Sequence, residues 1–419
     1  MKILMLGWEF PPFFAGGIGV VCNELTKELI KNNDVEITYV MPFGPKEITD
    51  KHIRILVADN IIPSDKIKIR RIPTIVTPYM NTYEYDDCIK GLRRDKDGNV
   101  KLMHDNTKQL YGKDLISEVY NFAEKLRLIL EEEDFDIIHA HDWMTIPAGV
   151  VAKEVTGKPL IIHVHNTIYD RYLGNGGEHE KEIELNGLLK ADRIIAISNF
   201  VKNILVDKYG INSNKIEVIH HARIEGDPCP EYKEPKFKEK DKVVLYAGRV
   251  TLQKGPEYFI EAAKKVSEFV SNVKFIMIGS GDQLQRMIDR VAQLGLSDKF
   301  MFHGFYNRKE ATMFFKMADV FVMPSVSEPF GVVPFEAMTN ETPSIISKQS
   351  GCSEILKNAL KVDFWDVDQI ANNIVALLNH QVLHNSMKNE GLKEINGLNW
   401  DGPAKRCIDV YKKVLIGRT

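Results

Sequence analysis

The chain is short of everything that would mark a secreted, metal-ribbon or membrane protein. Its 419 residues include five cysteines, Cys22, Cys88, Cys229, Cys352 and Cys407, scattered and odd in number, with no Cys-x-x-Cys pair. That spacing excludes a disulfide framework and a zinc ribbon, and predicts a reducing, cytoplasmic compartment. No apolar run approaches the roughly 20 residues that a bilayer span needs. The apolar stretch at the start, Met1 to Gly7, is too short for a secretion signal and predicts a first buried strand. Charge of one sign is not in excess either. Lys plus Arg is 55 against 58 Asp plus Glu, a formal charge of −3. Nucleic-acid binding, which needs a concentrated basic field, is therefore not indicated. The dinucleotide fingerprint Gly-x-Gly-x-x-Gly is not met by the first glycine cluster.

What is present is an ordinary globular composition, 44% hydrophobic and 27% charged, in a chain long enough for two domains of about 200 residues. The stretch that organises the second half is Ser325-Val-Ser-Glu328-Pro-Phe330-Gly331-Val332-Val-Pro-Phe-Glu336-Ala-Met. The run Asp319 to Pro324 before it predicts a buried strand, and Pro334 to Thr339 predicts the first turns of a helix. A strand–loop–helix unit puts free backbone N–H groups at the carboxyl edge of a sheet, where anionic ligands bind in α/β folds. Glu336 is placed to accept hydrogen bonds from a ribose diol, and Glu328 lies at the loop mouth.

The first half opens on a strand at Lys2 to Gly7, then Gly16-Gly17-Ile-Gly19 at the head of a helix reaching about Lys31. Glycines there let the backbone approach an anion. Glu36 to Val40 predicts a second strand. Residues 42–113 are polar and poorly periodic, with Tyr79, Tyr83 and Tyr85 as an acceptor-binding option and Lys66, Lys68, Arg70 and Arg71 as a basic edge. Lys113 to Glu132 reads as an amphipathic helix. Two strands then end in His139-Ala-His141-Asp142-Trp143 and His163-Val-His165-Asn166. Each His-x-His pair lies on one face of its pleat. A metal site is one reading of the pairs. No third ligand spacing recurs, and a buried hydrogen-bonded histidine accounts for a member of each pair. The charged, proline-bearing stretch Arg223 to Asp241 predicts the domain boundary.

The second βαβ series starts at Lys242. Val243 to Arg249 is strand then turn, with Lys254-Gly255-Pro256 ending the loop; Arg249 and Lys254 are two cations placed to neutralise a diphosphate. Val273 to Ile278 is a strand that ends in Gly279-Ser280-Gly281, and Phe300 to His303 is a strand running into Gly304-Phe305-Tyr306. Helices are predicted at Asn307–Met317, Val367–Leu378 and Trp400–Leu415. Two Asp-x-Asp triplets, Asp134/Asp136 and Asp366/Asp368, formally match a metal-binding motif. The first precedes a strand, and the second sits at a helix start where capping explains it.

Glu-Pro-Phe-Gly followed by Glu-Ala, with Gly-Arg-x-x-x-x-Lys-Gly, Pro-Pro…Gly-Gly-Ile-Gly, His-Asp-Trp and His-Asn, resembles the retaining nucleotide-sugar glycosyltransferases of family four, with similarity to glycogen and starch synthases. Those synthases carry a lysine just before the first glycines, where this chain has Phe14-Ala15. The resemblance implies an α/β GT-B fold: two Rossmann-like doubly wound domains facing across a cleft. The first is residues 1–222, with the last helix (402–419) packing back on it; the second, residues 241–401, binds the nucleotide sugar. It further implies that Glu328, His165, Arg249 and Lys254 are catalytic. Gly16, Gly17, Asp142, Gly281, Tyr306, Phe330, Gly331, Val332 and Glu336 would bind the donor, with His165 also bonding a sugar hydroxyl. No cofactor and no metal ion is expected. The partners expected are a nucleotide-sugar donor and a carbohydrate acceptor, with no nucleic acid and no transmembrane segment. The leading reaction is retaining transfer of glucose from ADP- or UDP-glucose to an α-glucan, by front-face attack without a covalent intermediate. A small sugar or lipid acceptor, a sugar-nucleotide epimerase and a non-catalytic binding protein of the same fold are the alternatives.

Overall fold

A computed structural model describes residues 1–12, 17–31, 34–44, 52–58, 92–94, 100–102, 115–224, 238 and 240–416, the two short segments 92–94 and 100–102 by backbone alone. The chain divides into two compact units. Unit 1 holds residues 1–197, 201–221 and 400–419, and unit 2 holds residues 198–200 and 222–399.

Unit 1 is built on a seven-stranded sheet. Its strands are β1 (Lys2–Leu6), β2 (Glu36–Met41), β3 (Arg54–Val57), β6 (Ile137–His141), β7 (Leu160–Val164), β8 (Arg193–Ala196) and β9 (Ile216–Val218). The order is β3-β2-β1-β6-β7-β8-β9 and each pairing is parallel. β6 and β7 are buried at every position, which is why they read as continuous apolar runs broken only by histidine. β4 (Leu92–Arg94) and β5 (Val100–Leu102) pair antiparallel as a separate ribbon. Helix Leu115–Leu130 turns Val119, Phe122, Ala123, Leu126, Ile129 and Leu130 inward. The final helix, Asp401–Ile416, packs against the first, Gly17–Ile30, and buries Cys407 and Tyr411.

Unit 2 is a six-stranded sheet of order β12-β11-β10-β13-β14-β15, again parallel throughout. The strands are β10 (Lys242–Ala247), β11 (Val273–Ile278), β12 (Phe300–His303), β13 (Val320–Met323), β14 (Ser344–Ser347) and β15 (Leu360–Val362). One core of Val244, Phe259, Phe275, Met277, Val320, Ile345 and Ile374 runs through it. The helix Arg308–Met317 opens on a reciprocal cap between Asn307 and Glu310.

Both sheets are doubly wound α/β sheets, as the sequence predicts. In each the strand order reverses once, between β1 and β6 in unit 1 and between β10 and β13 in unit 2. The reversal leaves a crevice at the carboxyl ends of the two flanking strands, the usual ligand position in this fold class. The two Asp-x-Asp triplets are structural. Asp136 accepts from the backbone N–H of Lys2 at 2.8 Å, Asp134 pairs with the Lys2 ammonium at 2.8 Å, and Asp366 caps a helix through Gln369 N at 2.9 Å. Gly16, Lys66, Lys68, Arg70, Arg71, Tyr79, Tyr83 and Tyr85 lie outside the described residues.

Gly255 shows how tightly the loop after β10 is held. Its φ is +63°, and a Cβ there would meet the Pro324 carbonyl oxygen at 2.1 Å. Gly255→Ala is expected to cost on the order of 1–3 kcal/mol in chemical denaturation of the full chain. A change within about 0.5 kcal/mol, the range of ordinary surface substitutions, contradicts this.

Candidate active site

In unit 2 the loops leaving β10 and β13 flank the reversal, and they are stitched together. The Gln253 carbonyl oxygen accepts from Val326 N at 2.9 Å. The Lys254 ammonium stands 2.6 Å from Glu328 Oε2, and Ser325 Oγ donates to the same oxygen at 3.2 Å. Glu328 keeps 10% of its side chain exposed and Lys254 20%. Taking two charges this far out of water is costly unless they neutralise each other, so the pair fixes both loops. The Glu328 backbone is clamped as well. Its N–H donates to Gln349 O and its carbonyl accepts from Gly351 N, both at 3.0 Å. Arg249 lies on the same loop and donates to Gln253 Oε1 at 3.1 Å.

Gly331, at φ +93°, lets the chain turn directly beneath Glu328, whose Cγ would stand 3.0 Å from an added Cβ. Phe330 turns inward and packs edge-on against Phe335 at 5.5 Å, so its side chain belongs to the core. Val332 precedes the helix Val333–Thr339, and Glu336 sits on that helix, partly exposed. Burial pushes the Glu336 carboxyl up to about 7, while Arg308 draws it back down. Tyr306 lies close enough for Glu336 to push its phenol in the same upward direction as burial does. Gly281 has a packing reason for being glycine: a Cβ would meet the Val250 carbonyl oxygen at 2.3 Å.

In unit 1 the matching crevice lies at the ends of β1 and β6, with the end of β7 next to β6. The residue after β6, Asp142, is buried and holds φ 59°, ψ 171°, a region that costs non-glycine residues about 1–3 kcal/mol and is found at functional sites. What holds it there is its own carboxylate. Oδ1 accepts from His165 N at 2.6 Å and from Asn166 N at 3.3 Å, while Oδ2 has no partner among the described residues. Burial raises Asp142 to about 7, against the pull of those N–H groups. Gly17 opens the first helix with space around it. The N–H of Gly19 on that helix is taken by buried Glu9, whose Oε1 accepts it at 3.1 Å. Sequence reasoning passed over Glu9, because a lone glutamate before two prolines carries no signal.

His165 lies between two other histidines. Its Nε2 is 2.9 Å from His141 Nδ1 and its Nδ1 is 3.1 Å from His221 Nε2. Both ring nitrogens of His165 are thus engaged by histidines. His221 was not anticipated, since it reaches this cluster from the segment after β9.

The chain is similar to known proteins along most of its length. Residues 230–394 match the family model "Glycosyl transferases group 1", and residues 100–222 match "Glycosyltransferase Family 4". An uncharacterized glycosyltransferase of Methanocaldococcus jannaschii is 28% identical, with 98% of each chain covered. The chain is a family-four GT-B glycosyltransferase. A second relative of this glycosyltransferase is the Escherichia coli UDP-Gal:alpha-D-GlcNAc-diphosphoundecaprenol alpha-1,3-galactosyltransferase, 26% identical over 69% of this chain and 78% of its own. Among solved structures, sucrose-phosphate synthase from Thermosynechococcus elongatus shares the fold with a TM-score of 0.68 at 18% identity, covering 99% of both chains. Among the described residues of the glycosyltransferase, no helix is long and apolar enough to cross a membrane.

The Glu336 carboxyl gives the site a measurable pH signature. Its folded value lies above the ordinary 4.5, so between about 4.5 and 7 the folded state holds a proton that the unfolded chain has lost, and this contribution to stability falls as pH rises. Glu336→Gln is expected to flatten the pH–stability curve in that window by up to about 1.4 kcal/mol per pH unit. Urea midpoints taken across the window read the slope, and an unchanged slope rejects the assignment.

Proposed function

We propose that this glycosyltransferase moves a hexose, glucose from ADP- or UDP-glucose in the leading reading, to an α-glucan acceptor with retention of anomeric configuration. The observation that carries the reading is the Lys254–Glu328 pair beside Arg249 at the reversal point of the second sheet. Arg249 and Lys254 would hold the diphosphate, Glu336 the ribose diol, and the Tyr306 segment the base. Gly281, Gly331 and Val332 would let the backbone come close to the donor, and Phe330 would support the loop from behind. From unit 1, Gly17 and Asp142 are assigned to the donor, Asp142 through its unpartnered Oδ2, and His165 through its backbone instead of its ring.

In the proposed step the bond from the sugar anomeric carbon to the phosphate oxygen breaks, and its electron pair leaves with the nucleoside diphosphate. The acceptor hydroxyl oxygen forms the new bond on the same face, and its proton passes to the departing phosphate. Arg249 and Lys254 stabilise the charge that develops on the diphosphate, the kind of term that contributes most in such sites. Glu328 faces the positive charge growing on the sugar ring. The two cations take the place of a metal ion at the diphosphate, so donor binding needs none.

A second acceptor class, a phosphate-bearing or lipid-linked sugar, is favoured by the Escherichia coli relative, whose name states such an acceptor. Release of nucleoside diphosphate from UDP- and ADP-glucose, with glycogen, a sugar phosphate or a lipid-linked sugar diphosphate, separates the two. Stimulation by glycogen alone supports the leading reading. Stimulation by the other acceptors alone replaces it with the second. Glu328→Ala and Lys254→Ala are each expected to lower turnover at least about 100-fold, with circular dichroism unchanged. Full activity in either variant overturns the site assignment.

A further inference from the structure

Five histidines meet inside unit 1, and the proposed transfer reaction uses the ring of none of them. His139 and His141 come from β6, His163 from β7, His165 from the position just after β7, and His221 from the segment after β9; all five are buried. Strand register explains the gathering. β6 and β7 pair in parallel with His141 opposite His163, so the two His-x-His pairs share one face of the sheet. The sequence shows two separate pairs, and the fold turns them into one cluster.

The ring nitrogens divide into two sets. The engaged set is His165 Nε2 with His141 Nδ1, His165 Nδ1 with His221 Nε2, and His139 Nδ1 with the Tyr411 hydroxyl at 2.7 Å. The other set is His139 Nε2, His141 Nε2 and both nitrogens of His163, which have no partner among the described residues. A neutral imidazole always carries one N–H, and leaving a buried donor or acceptor unmade costs about 1–3 kcal/mol. One nitrogen of each of His139, His141 and His163 lies within 4.8 Å of one on each of the other two.

We propose that His139, His141 and His163 form a buried site for one divalent transition-metal ion of the zinc, cobalt or nickel class. Two other triads converge as closely, Cys22 with His141 and His165, and His163 with His165 and His221. Both require His165, whose ring nitrogens are already engaged, whereas each member of the three-histidine set keeps a ring nitrogen without a partner among the described residues. Imidazole suits these ions. The far nitrogens of His139 and His141 are held by Tyr411 and His165, the outer support that orients metal-bound histidines. A tetrahedral ion with bonds of 2.0–2.1 Å draws its ligands to about 3.4 Å apart. The remaining closure needs rotation about χ2, a broad torsion for an imidazole. The ion would cross-link β6, β7 and, through Tyr411, the final helix. It is a structural staple, separate from the donor chemistry.

The test is elemental analysis of untagged protein expressed in metal-supplemented medium and dialysed. Zinc at about one equivalent per chain is expected. Removing it with a chelator in mild denaturant lowers the thermal midpoint, on the order of 5 °C, and refolding with Zn²⁺ restores it. Refolding with Co²⁺ gives the visible absorption of a tetrahedral nitrogen-ligated ion. His163→Leu loses the metal and the response to Zn²⁺, whereas exposed His179→Ala keeps both. Should His163→Leu fail to fold, the wild-type metal content and cobalt spectrum still decide. Wild-type protein that is metal-free, with a midpoint unmoved by refolding with Zn²⁺, Co²⁺ or Ni²⁺, overturns the proposal.

Discussion

A lysine ammonium 2.6 Å from a mostly buried glutamate joins the two loops that flank the reversal of the second sheet. Neither charge is comfortable alone at that depth, so each loop depends on the other for its position. Gly255 brings the first loop against the Pro324 carbonyl, Val326 donates to Gln253, and Ser325 adds a second donor to Glu328. The result is a rigid edge that presents Arg249 and Lys254 beside a carboxylate. A departing diphosphate needs the cations, and an electron-poor sugar needs the anion. The interaction that holds the loops is also the one the proposed chemistry uses.

The first unit solves the same topological problem with uncharged groups. Its strand ends carry histidines that burial keeps neutral and one strained aspartate whose Oδ1 bonds the backbone of the neighbouring strand end. This edge is ordered by hydrogen bonds between imidazoles and by Asp142, whose carboxyl burial raises to about 7, so its charge depends on pH.

Much of the fold was legible because parallel strands buried on both faces leave unbroken apolar runs, as in Val243–Ala247 and Val273–Ile278, and because glycine follows so many of them. Asp366 could be read as a cap from its place before Val367. Other parts left no signal. The helix Gln381–Gly397 buries only Gly391 and Ile395, so it has no apolar stripe to read. The strand Ser344–Ser347 is four residues long with a polar residue at each end. For the site, residue types were readable and partners were not. Nothing local tells Lys254 that its carboxylate lies 74 residues away, or His165 that His221 will occupy its ring. The ring of His165 lies against His141 and His221, and the side chain of Phe330 packs on Phe335, neighbours that no local motif announces.

The central claim is that the diphosphate of the donor is held by the cations at the carboxyl end of β10. A crystal structure of the protein with a nucleoside diphosphate tests it most directly. The account predicts phosphate oxygens within hydrogen-bond distance of Arg249 and Lys254 and ribose hydroxyls on Glu336. Phosphates bound elsewhere, with Lys254 still closed on Glu328 and Arg249 untouched, would contradict it.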